Sequence, residues 1–120
     1  MKTILVVEDD ADSRAFVEIL LSHRGYAPIG ACNGREALTT AEHSNPSLIL
    51  LDLMMPGMDG YQFLRAKRQH PTLSNVPVVV LSGVPNPAAV VGEHGVVSCL
   101  RKPIEFESLL ATIEAHCGHA

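Results

Sequence analysis

Short, uninterrupted apolar runs recur along this chain, each followed by a segment with helical spacing. The strong runs are Ile4-Leu5-Val6-Val7, Leu48-Ile49-Leu50-Leu51, Val78-Val79-Val80-Leu81 with Val76 just ahead, and Val96-Val97 with Cys99-Leu100; a weaker one lies around Tyr26 to Cys32. None alternates with polar residues. A half-buried strand would alternate, whereas a strand covered by helices on both faces is apolar throughout. The runs are also too short for helices. Five such strands, each followed by a helix-forming segment, imply an α/β fold with a parallel, doubly wound sheet. In sheets of this kind the functional site forms at the carboxyl ends of the strands.

The intervening segments support this reading. The first helix is expected from about Asp12 to Arg24, with Ala15, Phe16, Ile19 and Leu20 on its inner face and Gly25 able to end it. The second begins after Asn33, which can cap it, carries Ala37, Leu38 and Ala41, and stops at Asn45-Pro46. The third follows Asp59-Gly60 with Phe63, Leu64 and Lys67. The last runs from about Glu105 to His116, with Phe106, Leu109, Leu110 and Ile113 inward. Between Val84 and Gly95 the chain carries Pro85, Pro87, Gly92 and Gly95, so the fourth helix is expected to be short or irregular.

A length of 120 residues suits one domain, residues 1–120, and can bury a core without staples. With a net charge of −4 and no Lys/Arg run, a nucleic-acid surface within this chain is not expected. Cys32, Cys99 and Cys117 are odd in number and contain no CxxC, which argues against a disulfide framework or zinc site and for a reducing compartment. The N-terminal residues turn acidic by position 8, unlike a signal peptide, and no apolar run approaches a membrane span. A cytoplasmic location is the expectation.

The residues just past the strong runs carry the chemistry. Glu8, Asp9 and Asp10 follow the first strand, Asp52 the third, Ser82 the fourth and Lys102 the fifth. Carboxylates gathered in one pocket repel and raise one another's pKa values. A hard divalent cation relieves that repulsion, and oxygen donors without thiolate or imidazole suit Mg²⁺. A lysine and a hydroxyl on the same rim can hold the oxygens of a phosphoryl group, and a carboxylate aimed into the site can attack phosphorus. Alone, Asp52 reads as a turn former, Ser82 carries little, and Lys102 reads as a surface charge; together they outweigh those readings. His116, Cys117 and His119 lie at a helix end without a trusted metal-ligand spacing and are read as terminal polar residues.

Four segments, ILVVEDD at residues 4–10, LLDLMMPGMDG at 50–60, VVLSG at 79–83 and LRKPI at 100–104, resemble the receiver domain of two-component response regulators in the same order. The resemblance spans nearly the whole chain. It implies a flavodoxin-like sheet of strand order 2-1-3-4-5. It implies that Asp52 is the phosphoacceptor, that Asp9 binds Mg²⁺ directly with Glu8 acting through water, and that Met54 offers a backbone carbonyl to the metal. Ser82 is then the hydroxyl that meets the phosphoryl group and Lys102 the lysine that pairs with it, followed by Pro103 on a cis peptide. The implied partners are a histidine kinase or histidine phosphotransfer protein and an unspecified downstream output, with no direct nucleic acid and no membrane. The domain would catalyse only its own phosphorylation and dephosphorylation, and is not expected to act as an enzyme on external substrates.

This chain departs from the family pattern in two places. Cys99 stands where the family usually has Tyr or Phe, and the segment from Ser82 to Lys102 is a little short. Two other functional classes share this topology. An unphosphorylated docking module would commonly lack the full residue set present here. A phosphohydrolase or nucleotide enzyme of similar topology would want a P-loop, a GxGxxG after the first strand, or a second carboxylate where Met54 stands; the sequence has none of these.

Overall fold

The computed structural model describes residues 2–52, 60–82 and 95–118, with Ser82 by its backbone only. Five strands form one parallel sheet: β1 (Thr3–Val7), β2 (Ala27–Ala31), β3 (Leu48–Asp52), β4 (Val78–Ser82) and β5 (Val96–Arg101), in the spatial order β2-β1-β3-β4-β5. The described helices are α1 (Ala11–His23), α2 (Gly34–Ser44), α3 (Gly60–Arg68) and α4 (Phe106–Cys117). The expected fourth helix, with Pro85 and Pro87, falls outside the described residues.

The apolar runs behave as a parallel sheet requires. Side chains on a strand alternate between faces, and here each face has its own core. Leu5, Val7, Ile49, Leu51, Val78 and Val80 pack with Ala37 and Ala41 of α2 and Phe63 and Leu64 of α3. Ile4, Val6, Leu48, Leu50, Val79 and Leu81 pack with Leu21 of α1 and Leu109, Leu110 and Ile113 of α4. All five residues of β3 are buried, as befits the central strand. The edge strand β2 is only partly covered, and Pro28 is tolerated there because an edge does not need every N–H.

Local signals fix the helix ends. The Asn33 side chain accepts a bond of 2.8 Å from the Glu36 N–H at the start of α2, and Asn45 closes that helix in the left-handed region at φ 48°. Gly25, at φ 88°, turns the chain after α1. The Lys102–Pro103 peptide is cis.

The inner face of α1 differs from expectation. Phe16 and Ile19 are 63% and 58% exposed, Ala15 is exposed too, and the helix enters the core through Leu21 with Val17 packed beside it. Apolar residues stand on several sides of this helix, so spacing alone could not select the face that docks.

Candidate functional site

The sheet order places the site. From β1 the chain moves to β2 on one side, then crosses back to β3 on the other, which opens a crevice at the carboxyl ends of β1 and β3. Glu8 leaves β1 with its N–H still bonded to the Ala31 carbonyl of β2 at 3.0 Å. Asp52 is the last residue of β3, paired with Leu81 of β4. Lys102 follows β5 directly and reaches back across the crevice.

Oxygen atoms of Glu8, Asp9 and Asp52 lie within 4.8 Å of one another. Glu8 and Asp52 are buried and Asp9 is exposed. The Lys102 ammonium donates to Glu8 Oε2 at 3.1 Å and to Asp52 Oδ2 at 3.3 Å. Burial pushes the Glu8 carboxyl up in pKa; the Lys102 hydrogen bond opposes this and the Asp52 charge adds to it. Burial would lower Lys102, but its bond to Glu8 and the charges of Asp52 and Glu8 outweigh that and raise it, so it stays a cation. Outside the crevice, the Ser13 hydroxyl donates to Asp10 Oδ2 at 2.6 Å and holds that carboxyl below its ordinary value at the start of α1.

Among the described residues, the side chains that meet in the crevice are three carboxylates and one ammonium, a net negative set. The donors are hard oxygens, one of them open to water. An octahedral Mg²⁺ with ligands at about 2.1 Å spans about 4.2 Å between opposite oxygens. The carboxylate cluster is within a small side-chain adjustment of that span, so the residues fit such an ion. Beside the crevice runs an apolar groove of about 240 Å³, walled by Phe16, Val17 and Leu20 of α1 and by Ile104, Phe106 and Leu109, with Glu8 and Lys102 at its border.

Glu8, Asp9, Asp52 and Lys102, all named from the sequence, are thus brought together. The backbone of Ser82 ends β4 in register with Arg101, one residue before Lys102. The Ser82 side chain and Met54 lie outside the described residues. Arg14 escaped the sequence reading. Its guanidinium Nη1 donates to the Glu8 carbonyl at 2.7 Å. Its place one turn into α1 from Asp10, and a glycine at position 30 in the strand beside it, were the available signals.

The family model of the response regulator receiver domain matches residues 4–114, and the chain belongs to that family. It is 38% identical over 114 residues to the uncharacterized transcriptional regulatory protein YkoG of Bacillus subtilis, covering 93% of this chain and 49% of that protein. The chain therefore spans about half the length of such curated relatives. Among solved structures, the Vibrio cholerae chemotaxis protein CheY4 superposes with a TM-score of 0.88 at 30% identity, covering 97% of this chain and 98% of that one. The receiver domain of sensor histidine kinase PA1611 from Pseudomonas aeruginosa gives 0.87 at 26% identity over 98% of both chains, and that structure has a magnesium ion coordinated in the active-site cleft. This chain is accordingly a response-regulator receiver domain of two-component signalling, with an acidic cluster able to hold a metal.

Proposed function

We propose that the domain is a phosphorylation switch in which Asp52 accepts a phosphoryl group from a phosphohistidine donor. The observation that carries this is the convergence of Glu8, Asp9 and Asp52 within 4.8 Å, with Lys102 bridging Glu8 and Asp52. Asp52 Oδ attacks phosphorus, the P–N bond of the donor breaks, and an acyl phosphate forms. Bound Mg²⁺, held by Glu8, Asp9, Asp52 and the Met54 carbonyl, would neutralise charge on the phosphoryl oxygens. Lys102 trades its bond to Asp52 for one to the new phosphate, and the Ser82 hydroxyl supplies another. The added charge and acceptor oxygens favour the conformer in which both engage, and a partner responds only as far as it distinguishes the two conformers.

In this reading the donor is a histidine kinase or histidine phosphotransfer protein. The output is a separate domain or protein, in keeping with the naming of YkoG as a transcriptional regulatory protein about twice as long. The domain acts in the cytoplasm, touches neither nucleic acid nor membrane itself, and turns over no substrate but its own phosphate. Among the described residues no helix is long and apolar enough to cross a membrane.

Intact mass after incubation with Mg²⁺ and acetyl phosphate tests the proposal. The expected result is a gain of one phosphoryl group, labile to hydroxylamine, dependent on Mg²⁺ and absent in Asp52→Asn. A folded wild-type protein that gains nothing from acetyl phosphate or from a phosphorylated histidine donor would overturn it in favour of a docking module.

A further inference from the structure

Arg14 does more than decorate α1. Its backbone N–H closes the first turn on the Asp10 carbonyl at 2.9 Å, while its side chain turns back toward the strand end. There Nη1 meets the Glu8 carbonyl at 2.7 Å, a short charge-assisted bond. That carbonyl shares a rigid peptide plane with the Asp9 N–H. The Glu8 N–H is already fixed to Ala31 at 3.0 Å. With both main-chain groups of Glu8 held, the direction in which the chain enters Asp9 is set.

The path of the side chain is itself built. A Cβ placed on Gly30 of β2 would stand 3.0 Å from Arg14 Cδ, 3.2 Å from Arg14 Nε and 2.1 Å from Glu18 Oε1. The bare glycine is therefore the floor over which Arg14 and Glu18 lie. Glu18 Oε1 stands 4.0 Å from Arg14 Nε, one turn along the helix. A helical ion pair of that length contributes little to stability. The 2.7 Å bond to the Glu8 carbonyl is the closer contact of the guanidinium.

We propose that Arg14, laid across Gly30, is a positioning residue that holds the Glu8–Asp9 peptide in the orientation needed to present both carboxylates to Mg²⁺. The inference rests on the metal-dependent phosphorylation proposed above. Charge and positioning predict opposite signs here. A cation beside a cation site weakens metal binding, so if Arg14 acted by charge alone, its removal would tighten Mg²⁺. If Arg14 holds the peptide, its removal loosens Mg²⁺, as loss of an outer-sphere partner commonly does by about 10- to 100-fold.

The test is calorimetric titration of the whole chain with Mg²⁺, beside the Mg²⁺ dependence of phosphorylation by acetyl phosphate. Arg14→Met is expected to weaken Mg²⁺ binding about 10-fold. The Mg²⁺ needed for half-maximal phosphorylation should rise in step, while the rate at saturating Mg²⁺ changes less. Arg14→Lys, which keeps a charge and one donor, should recover part of the loss. Gly30→Ala leaves Arg14 present but fills its floor, and should weaken Mg²⁺ several-fold while thermal stability holds or rises. It keeps the question open to test should Arg14→Met fail to fold. Unchanged or tighter Mg²⁺ binding in folded Arg14→Met, or in Gly30→Ala where the former does not fold, overturns the proposal. Wild-type protein that neither binds Mg²⁺ nor gains phosphoryl overturns the underlying reading as well; wild-type protein that does both, with variants unchanged, overturns this inference alone.

Discussion

At the carboxyl ends of the strands Glu8 and Asp52 are buried beside Lys102, whereas near the amino ends Lys67 is buried against main-chain oxygen. Lys67 of α3 is fully covered, and its ammonium donates to the Ser74 carbonyl at 3.2 Å, pressed so close to Gly95 that a Cβ there would lie 2.9 Å from it. Burial holds Lys67 below the ordinary lysine range. The crevice gathers like charges around one ammonium and faces solvent through Asp9, so it gains by taking up a cation. Lys67 is enclosed, and its ammonium is met by the Ser74 carbonyl. Buried charge marks a ligand site where it is in excess and reachable; where it is enclosed, it marks a local cost of folding.

Removing the ammonium that bridges Glu8 and Asp52 should separate the two regions most. Lys102→Met leaves Glu8 and Asp52 facing each other, and is expected to destabilise the metal-free protein by about 2 kcal/mol, a figure reduced for the partial exposure of the lysine. Denaturant unfolding with and without Mg²⁺ would show it, and Mg²⁺ should stabilise this variant more than wild type. In wild type, Mg²⁺ at 100 times its dissociation constant should add about 2.7 kcal/mol. That increment should be the same in Lys67→Met, since the two sites lie at opposite ends of the strands.

Lys67→Met removes the cost of burying the ammonium but also its bond to the Ser74 carbonyl, so its net effect on stability at pH 7 should stay within about 1 kcal/mol. The sign of its pH dependence follows from the direction of the shift. A lysine whose folded pKa is depressed binds its proton less well folded than unfolded, so stability rises with pH from the folded value up to the unfolded one near 10.4. The stability of Lys67→Met relative to wild type should therefore fall as the pH is raised through that window; a constant gap would show that protonation of Lys67 does not contribute. The smallest effect belongs at the surface. Arg24 bridges α1 to α4 through Glu107 at 3.1 Å and over the Phe106 ring at 5.5 Å, with both charged side chains largely exposed. Arg24→Ala should cost about 0.5 kcal/mol and lose most of that in high salt.

The same comparison explains what could be read from the sequence. Glu8, Asp9, Asp52 and Lys102 were legible because each stands just past an apolar run, and parallel topology collects such positions at one edge. β1, β3 and β4 were legible as continuous runs. β2 gave a weaker signal because an edge strand with Pro28 and Gly30 is only half covered. Lys67 could be placed on the inner face of its helix by spacing, but its enclosure by the chain around Ser74 and Gly95 depends on contacts distant in sequence. Arg14 was missed for a related reason: its partner is a backbone carbonyl, which carries no residue identity. On α1, abundant apolar residues concealed the docking face, and Phe16 and Ile19 proved to be outside.

Strands that are apolar on both faces raise a question of alignment. In β3, the residues Leu48 to Leu51 could slide by one position and still present only hydrocarbon to either core, although such a slip reverses every side chain. Polarity within the strand cannot forbid it. Asp52 can: paired with Leu81 at the carboxyl end of β3, it would be drawn among the aliphatic side chains of one core by a shift inward, away from Lys102. Glu8 and Lys102 impose the same limit on β1 and β5. The charged residues of the crevice thus serve as end stops for the strands that carry them, and a variant that replaces them with apolar residues is expected to loosen strand register.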